Sequence, residues 1–584
     1  GTNFDYNNDR DMAASYDYGA SIGQAGDLRP LYYSFKRAGW FARSFQEVLA
    51  NSEGDRSNLP IVSDTTVKVT ARKSQAGTIA FLDNPDSAGV KLKLNPPVGS
   101  KIKVSYPVNL AAGEIMPVVI NYQLTNTIKI AWAPTRIYSI IPRGKTITIL
   151  LYGAPGSLAS IYFDVSKNVS IKRGKNNFTA SAGGICLNAS ITKDTPECYT
   201  FEADGYRIEV ITENDVLASH SWFIEAAGKT YVVIGPEYAG DLISKKKSVY
   251  LYTERPWEAR VGQHTWVFEQ GGLQSNQKFK ASAVNHMKRL EIGSWQTKDA
   301  SLAALSGYQD NSWLQSPQPL QMGADGNVSA NAWYRTTTKV EETGYYQLVF
   351  KSLHDRAALF LDGKRIDTGG IIHNVANLYL EAGINHTIAV FTAHDGRNKL
   401  IFRVGEIDTI DAKGLSGPVT LQKADGSGKK VTLTGWRMRG GPGDPNSSTG
   451  WKNLTLVNDK TKHPRFYRAT FTLPVLKNTH TIWRVNTTSL SYGSVWVNSH
   501  NLGRYPEKIK INGMYIPECW LKSGINKLVV YDENGTGPER VSIQAETEAS
   551  RDTQLLKFKL GPFSNELQIA ELNKVNSINN KLKK

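Results

Sequence analysis

The opening stretch of the chain carries oxygen-bearing side chains at alternating positions, as the start of a calcium loop does. The residues with this spacing are Asp5, Asn7, Asp9 and Asp11. A helix–loop–helix calcium site also needs Gly at its sixth position, for a sharp turn, and a bidentate Glu at its twelfth. Arg10 and Tyr16 occupy those positions. The sequence therefore favours a hydrophilic loop over a calcium site.

Other patterns for metal or phosphate chemistry find no support in the sequence. The ten histidines are scattered, without a His-x-x-x-His pair or an adjacent cysteine, so metal-assisted hydrolysis is not indicated. The loop at 440–443 is rich in glycine but lacks the Gly-Lys-Ser/Thr ending of a phosphate cradle. The sequence implies no cofactor.

Length and composition indicate a folded protein of several domains. A chain of 584 residues is too long for one core, and about three to five domains are expected. The net charge of +16 comes from Lys and Arg spread over the whole chain. This spread favours a solvated surface over nucleic-acid binding, and attraction to an acidic polysaccharide or cell surface is the alternative. No apolar run reaches the ~20 residues of a membrane span.

Residues 1–52 differ from everything that follows. A loop rich in Tyr, Asp and Asn precedes a helix that Asp27 can cap, with Pro30 in its first turn. The helix ends near Asn51. Its predicted apolar face consists of Leu31, Phe35, Ala38, Ala42, Phe45 and Leu49.

Period-two alternation takes over after the helix. Residues 53–250 read as short strands separated by Gly, Asn, Asp or Pro, which predicts an all-β sandwich region of one or two domains. Residues 251–290 are predicted to be a connecting segment. Cys186 and Cys198 lie close enough in sequence to form a disulfide, whereas Cys519 is expected to be a buried free thiol in a strand.

An internal repeat covers most of the second half. The triplet at 333–335 recurs at 466–468, the turn at 359–363 recurs at 495–499, and the segment at 380–385 recurs at 521–526. Order and spacing agree, so we predict two copies of one jelly roll at 291–408 and 409–547. Residues 548–584 are expected to form a partly ordered tail.

Two motifs nearly 500 residues apart resemble one family. Gly1-Thr2-Asn3-Phe4, then Ser15-Tyr16-Asp17-Tyr18, then Gln24-Ala25-Gly26-Asp27 and a helix, is similar to the end of the catalytic barrel of glycoside hydrolase family 35, the β-galactosidases. The segments 496–505 and 515–521 resemble the C-terminal jelly roll of the same family. Asp5 departs from the family, because many members carry Gly there.

The resemblance implies a fold class and a mechanism. The fold is mainly β, with several β-sandwich or jelly-roll domains following a short α/β remnant of a (β/α)₈ barrel. The family hydrolyses terminal β-D-galactosides with retention, using two glutamates whose carboxyl groups lie ~5 Å apart. These glutamates sit on the fourth and seventh barrel strands, whereas Gly1–Phe4 would belong to the eighth. Both are therefore expected upstream of this chain, which alone should be inactive.

The resemblance also assigns binding residues. In the family, the Tyr-Asp-Tyr loop lines the galactose pocket, which makes Tyr18 and Tyr16 the substrate-binding candidates. Asn3 would orient the site from the end of its strand. A tyrosine offers a ring face to the C–H surface of the sugar and a hydroxyl for a hydrogen bond.

Two hypotheses follow for function. In the first, the chain is the C-terminal part of a β-galactosidase acting on galactose-containing oligosaccharides or polysaccharides, partnered by the missing barrel segment. In the second, it is a non-catalytic carbohydrate-binding or surface-attachment protein, with Trp313, Trp436, Trp451 and Trp496 as stacking candidates, although Trp496 in an alternating strand is more simply a core residue. Neither nucleic acid nor membrane is an expected partner. The expected location is secreted or periplasmic, in a bacterium.

Overall fold

The computed structural model describes residues 19–57, 59–165, 168–181, 183–226, 229–245, 248–257, 264–269, 272–280, 286–366, 374–396, 412–455, 462–476, 479–506, 513–558, 569–570 and 573. The predicted mainly β fold class is confirmed. The chain divides into two compact units. We call residues 20–285, 477–480 and 550–584 the stacked-sheet unit, and residues 1–19, 286–476 and 481–549 the jelly-roll unit.

The described helices are few and lie in the stacked-sheet unit. They are α1 (Pro30–Ser44), α2 (Gln46–Ala50) and α3 (Asp215–Ser219). Pro30 opens α1 as predicted, and Arg29 is the N-cap without a side-chain hydrogen bond. Asp27, the predicted cap, instead accepts a hydrogen bond from Nε of Arg29 at 3.3 Å.

The predicted apolar face of the helix is confirmed only at its end, where Phe45 and Leu49 pack into a core, whereas Ala38 and Ala42 are exposed. Leu31 and Phe35 are 43% and 61% exposed, whereas Tyr33, Phe45 and Val48 are buried. Helix α1 touches three separate cores, through Tyr33, Trp40 and Phe41. Aromatic side chains therefore make most of the contacts between the helical segment and the sheets.

The strands are short and numerous. Those of the first half are β1 (Glu53–Gly54), β2 (Ile61–Val62), β3 (Lys68–Ser74), β4 (Gly77–Asp83), β5 (Val90–Asn95), β6 (Tyr106–Leu110), β7 (Ile115–Gln123), β8 (Lys129–Ala133), β9 (Arg136–Arg143), β10 (Thr146–Gly153), β11 (Leu158–Asp164), β12 (Ser170–Arg173), β13 (Phe178–Ser181), β14 (Gly184–Ser190), β15 (Glu197–Ala203), β16 (Tyr206–Asn214), β17 (Ser221–Ala226), β18 (Lys229–Ile234), β19 (Tyr238–Lys245), β20 (Ser248–Pro256), β21 (His264–Glu269) and β22 (Gly272–Lys278).

The second half continues in the same way. Its strands are β23 (Arg289–Leu290), β24 (Gln296–Asp299), β25 (Leu314–Ser316), β26 (Asn331–Lys339), β27 (Gly344–His354), β28 (Arg356–Leu361), β29 (Lys364–Arg365), β30 (Val375–Leu380), β31 (Asn385–Ala393), β32 (Gly414–Lys423), β33 (Val431–Leu433), β34 (Trp436–Gly440), β35 (Lys452–Asn453), β36 (Arg465–Leu473), β37 (Thr479–His480), β38 (Trp483–Asn486), β39 (Gly493–Val497), β40 (His500–Tyr505), β41 (Met514–Ile516), β42 (Gly524–Asp532), β43 (Ser542–Ala545) and β44 (Arg551–Phe558).

The stacked-sheet unit contains five sheets. Their strand orders are β2-β5-β6, β1-β3-β4-β7-β8-β11-β14-β13, β12-β15-β16-β10-β9, β17-β18-β21-β22 and β19-β20-β44-β37. Four hydrophobic cores separate successive sheets. Strand β4 shows the physical reason, because Ile79 enters one core while Ala80 and Leu82 enter the other. Side chains alternate between the faces of a strand, so an inner sheet needs apolar residues on both.

Two segments predicted to lack regular structure form strands in this unit. Strands β21 and β22 lie within 251–290, where a connecting segment was expected. Strand β44, from the predicted tail, pairs with β20 in antiparallel register. The hydrogen bonds of β20 on this side are therefore completed by a segment some 300 residues away in sequence, a partner that local patterns do not reveal.

The cysteines are all unpaired, so the Cys186–Cys198 disulfide considered from sequence is not formed. Cys186 and Cys198 lie in different cores. Burial raises the pKa of each thiol to about 11. Cys519 is exposed, in a 3₁₀ turn at Glu518–Trp520, so the expectation of a buried thiol in a strand was wrong.

The jelly-roll unit contains two sandwiches of the same plan. The first has sheets β25-β34-β26-β31-β28-β29 and β30-β27-β32-β33, and the second has sheets β35-β24-β36-β42-β39-β40 and β23-β43-β38-β41. Equivalent turns have equivalent chemistry. Asp362 and Asn498 both have left-handed backbone, with φ of 51° and 49°. Each side chain accepts a hydrogen bond from a backbone N–H, that of Thr387 for Asp362 and that of Lys527 for Asn498.

Hydrogen bonding crosses the boundary predicted at 408/409. Strands β32, β33 and β34 complete the sheets of the first jelly roll, whereas β23 and β24 complete those of the second. The first jelly roll is thus inserted between β24 and the rest of the second. By position in the sheets, β33 and β34 at the end of the first copy correspond to β23 and β24, which precede both copies in sequence.

Candidate functional site

The site residues predicted from the family resemblance lie outside the described part of the chain. This applies to Tyr18, Tyr16 and Asn3, and to the acidic loop at residues 5–11. They remain predictions.

The four tryptophans considered as stacking candidates have different environments. Trp436 is 1% exposed and donates its indole N–H to the carbonyl of Leu433. Trp496 packs against a core, as the simpler interpretation expected. The indole of Trp451 lies under the guanidinium of Arg468, 4.3 Å from the ring centroid. Trp313 lines a cavity in the described part of the chain.

That cavity lies in the jelly-roll unit, and both jelly rolls contribute to it. We call it the junction cavity. Its volume is about 210 Å³. Its lining comprises Lys298, Asp299, Ala300, Leu302, Ala303, Tyr308, Trp313, Trp333, Arg439, Gly441, Pro442, Gly443, Asp444 and Phe466. A concave site with aromatic walls and a few polar groups is the usual form of a small-molecule site.

One wall of the junction cavity is the glycine-rich loop noted in the sequence. Gly441 and Gly443 have φ of +91° and +107°, which side chains other than glycine rarely adopt. At Gly440, which begins the loop, a Cβ would lie 2.6 Å from Cβ of Asn327. The loop therefore needs glycine for its shape, and its structural role differs from a phosphate cradle.

The opposite walls are aromatic. Tyr308 and Trp313 form an edge-to-face pair with ring centroids 5.6 Å apart. Trp333 is held between Phe360 and Phe391, with centroids at 5.4 and 5.2 Å. These contacts fix the rings before any ligand arrives, which limits the entropy cost of binding.

Several polar groups of the lining remain available to a ligand. Neither the indole N–H of Trp313 nor that of Trp333 donates to a described residue. Asp299 accepts hydrogen bonds through Oδ1, from the backbone N–H and the hydroxyl of Ser301 at 2.7 and 2.6 Å. Asp444 likewise uses Oδ1, for the N–H of Asn446 at 2.8 Å. Their Oδ2 atoms have no partner among the described residues.

This arrangement is suited to binding a neutral polyol. Ring faces can cover apolar C–H surface, while indole N–H groups donate to hydroxyls and carboxylates accept from them. Asp299 and Asp444 are both exposed, unlike the carboxyl in an apolar pocket that serves as a general acid. The lining thus favours recognition over catalysis.

The stacked-sheet unit has two larger cavities of about 510 Å³ each. In one of them, Arg136 pairs with Glu114 at 2.7 Å and Arg37 donates to Ser219 at 3.0 Å. The other is lined largely by small and backbone groups, around Trp132. Among the residues described, no group of three or more His, Cys, Asp or Glu side chains could hold a metal ion. No described helix is long and apolar enough to cross a membrane.

Comparison with known proteins finds a family that is similar to part of the second jelly roll. The family described as "Beta-galactosidase, galactose-binding domain" matches residues 464–526. Beta-galactosidase 8 of Arabidopsis thaliana is 25% identical over 270 residues, covering 38% of this chain and 30% of the relative. Beta-galactosidase 1 of Dictyostelium discoideum is 25% identical over 238 residues, covering 38% and 34%. The match therefore spans about a third of the length of these relatives.

Solved structures give weaker matches. A glycosyl hydrolase family 2 member from Bacteroides cellulosilyticus is 12% identical, with a TM-score of 0.17, covering 42% of this chain and 31% of that one. A lectin from Pleurotus ostreatus is 13% identical, with a TM-score of 0.14, covering 49% and 90%. These scores carry no argument. The family match and the relatives support the resemblance seen in the sequence: this chain resembles the C-terminal part of family 35 β-galactosidases, including their galactose-binding domain.

Proposed function

We propose that this chain is the C-terminal portion of an enzyme that hydrolyses terminal non-reducing β-D-galactosyl residues. Hydrolysis would be retaining and would use two glutamates upstream of this chain, so the chain alone would be inactive. The family match and the resemblance of residues 1–18 to the end of a barrel support this assignment. The junction cavity is the observation within the described residues that supports galactose recognition.

The catalytic part of the proposal is tested with two proteins. The chain alone should release no nitrophenol from nitrophenyl β-D-galactoside, and the product of the complete gene should release it. Replacing each upstream glutamate by glutamine should abolish that release. Turnover by the chain alone, lost when an in-chain carboxylate is changed, would overturn the proposal.

The binding part is tested with methyl β-D-galactoside, titrated into the chain by calorimetry. Asp299→Ala should weaken binding roughly tenfold, because a hydrogen bond to a charged group is lost. Asp425 provides a matched control. It caps Ser427 through N–H and hydroxyl contacts of 2.8 and 2.6 Å, as Asp299 caps Ser301, and it lies outside the cavity lining. Asp425→Ala should leave the affinity unchanged, and equal effects of the two variants would contradict the assignment.

A second candidate function is carbohydrate binding without catalysis. The availability of the Trp313 and Trp333 indole N–H groups in the junction cavity favours it as strongly as it favours an enzyme. Galactoside binding by the chain, together with a complete gene that lacks the two glutamates, would establish this alternative. Either function fits a secreted or periplasmic location, which fractionation of the source cells would test.

A further inference from the structure

The outer face of one sheet in the first jelly roll carries an exposed aromatic pair. Tyr345 on β27 and Tyr379 on β30 lie directly opposite each other. They are 65% and 49% exposed. Their ring centroids are 5.2 Å apart, and the planes meet at 66°. Neither hydroxyl forms a hydrogen bond with a described residue.

A row of three primary amides runs beside the tyrosines. The strand register places Gln347 opposite Asn377 on one side and opposite Gln422 on the other. Only Gln422 has a hydrogen bond among the described residues, a 3.3 Å contact from its amide to the carbonyl of Gly426. Successive rows on one face are about 7 Å apart along the strands, and neighbouring strands about 5 Å apart across them.

A third row completes the face with uncharged side chains. Val349 lies opposite Val375 and Thr420, and Thr420 lies opposite Thr432. The three rows together extend over about 14 Å along the strands. We call this surface the tyrosine–amide face. Its rows contain no charged side chain, in a chain whose net charge is +16.

The corresponding strands of the second jelly roll carry polar side chains that form hydrogen bonds within the domain. On the corresponding strands of the second jelly roll, Arg484 of β38 lies opposite Tyr515 of β41 and opposite Gln544 of β43. There, Nε of Arg484 donates to Glu546 at 2.6 Å, and the hydroxyl of Tyr515 donates to Glu518 at 2.6 Å. The side chains of Arg484 and Tyr515 are thus engaged within the domain, whereas the exposed amides of Gln347 and Asn377 form no hydrogen bond with a described residue.

From this contrast we propose that the tyrosine–amide face is a binding platform for a soluble, neutral polysaccharide chain, separate from the junction cavity. Each amide presents a donor and an acceptor side by side, which matches the hydroxyl pairs of a sugar. The tyrosine rings cover C–H surface and offer hydroxyls at their tips. The 66° angle between the rings suits a twisted single chain better than a flat crystalline surface.

A protein partner fits this face less well. Seating an apolar protein surface on the rows would bury the amides of Gln347 and Asn377 without partners, and each buried unsatisfied group weakens binding. A chain of sugar units supplies hydroxyls along its length and leaves none of them buried and unpaired. The absence of charge within the rows also excludes a mainly electrostatic partner.

The experiment is native affinity electrophoresis of the full chain in gels containing soluble β-1,4-galactan, arabinoxylan or mixed-linkage β-glucan. At least one neutral polymer should retard the chain, with little dependence on salt. Tyr345→Ala/Tyr379→Ala should lose at least tenfold in affinity. Gln422→Ala should weaken binding severalfold, whereas Gln544→Ala, on the corresponding strand of the second jelly roll, should not. Melting temperatures would confirm that the variants fold.

Three outcomes would overturn the platform. One is the failure of all three neutral polymers to retard the chain. Another is retardation by polygalacturonate alone that high salt abolishes, since this would report the overall positive charge. The last is a tyrosine-dependent dimer that the polysaccharides do not compete with. The platform and the junction cavity are distinguishable, because Asp299→Ala should leave retardation unchanged and the tyrosine variant should leave binding of methyl β-D-galactoside unchanged.

Discussion

Arg356 of the first jelly roll and Glu533 of the second form a two-pronged ion pair, with Nη2 of the arginine 3.0 Å from both carboxylate oxygens. Arg356 also pairs with Asp395 and lies over the ring of Tyr492, 4.1 Å from its centroid. Asn331 adds a hydrogen bond to Glu533 at 3.1 Å. The inserted jelly roll is thereby joined to its host by a charge network as well as by the shared aromatic core.

Breaking this pair should destabilise the jelly-roll unit. Arg356→Met removes the arginine that pairs with the carboxylate of Glu533, whose side chain is 7% exposed. We expect a loss of about 2–4 kcal/mol in the free energy of unfolding. Hydrogen exchange of the backbone amides of β42 in urea would measure the stability of this unit, because β42 lies within it. Lys172→Met removes the exposed ion pair to Glu202 and should leave the exchange protection of β15 nearly unchanged. Unchanged protection of β42 in Arg356→Met would contradict the structural role.

A buried carboxyl should make stability fall as pH rises. Glu213 accepts a hydrogen bond from Ser221 at 2.6 Å, and burial raises its pKa from 4.5 to about 8. The folded chain therefore holds a proton that the unfolded chain has released between these pH values. This contribution to stability is complete below about pH 4.5 and is lost as pH rises to about 8, by at most about 1.4 kcal/mol per pH unit.

The test is the difference in melting temperature between wild type and Glu213→Gln across pH 4 to 9. Lys36 lies nearby, and burial lowers its pKa to about 7, but it is present in both proteins. The wild type should lose stability relative to the variant as pH rises. Glu225→Gln, at a carboxylate that is 58% exposed, is the control and should show a flat difference. A flat difference for Glu213→Gln as well would refute the raised pKa.

Phe35 and Phe45, both assigned to the apolar helix face by the sequence, should respond differently to truncation. Phe45 is fully buried, with ring contacts to Phe41 and Tyr122 at 4.6 and 4.8 Å. Phe45→Ala should cost about 3–5 kcal/mol. Phe35→Ala, at an exposed position, should change the free energy of unfolding by less than about 0.5 kcal/mol. Denaturant unfolding of the chain would measure both, and similar losses would favour the helix face predicted from sequence.

Thiol reactivity should separate the three cysteines. Cys519 is exposed and should react with a thiol reagent in the folded chain. Cys186 and Cys198 are buried, and their raised pKa disfavours the reactive thiolate, so both should react only after unfolding. Mass spectrometry of labelled peptides would assign each site. A Cys186–Cys198 cross-link in the non-reduced digest would contradict the structure.

Local sequence patterns were sufficient to predict a mainly β fold that contains an internal repeat. Period-two alternation indicated strands, and the paired motifs at 333–335 and 466–468 indicated a repeat, because equivalent positions in equivalent sheets need similar side chains. Trp333 lies opposite Phe391, and Phe466 opposite Tyr531, in the matching strand pairs of the two copies. The repeat was therefore visible wherever its core strands were conserved between copies.

Tertiary structure alone decided how the copies are assembled and where a ligand can bind. The short strands β23 and β24 complete the sheets of the second jelly roll but precede the first in sequence, and they pair with distant partners. The sequence pointed to Trp313 and to the loop at 440–443, but Lys298, Trp333 and Phe466 join them in one cavity only after the insertion is folded. Side-chain periodicity records which residues avoid water, whereas pairing between distant strands decides which of them meet.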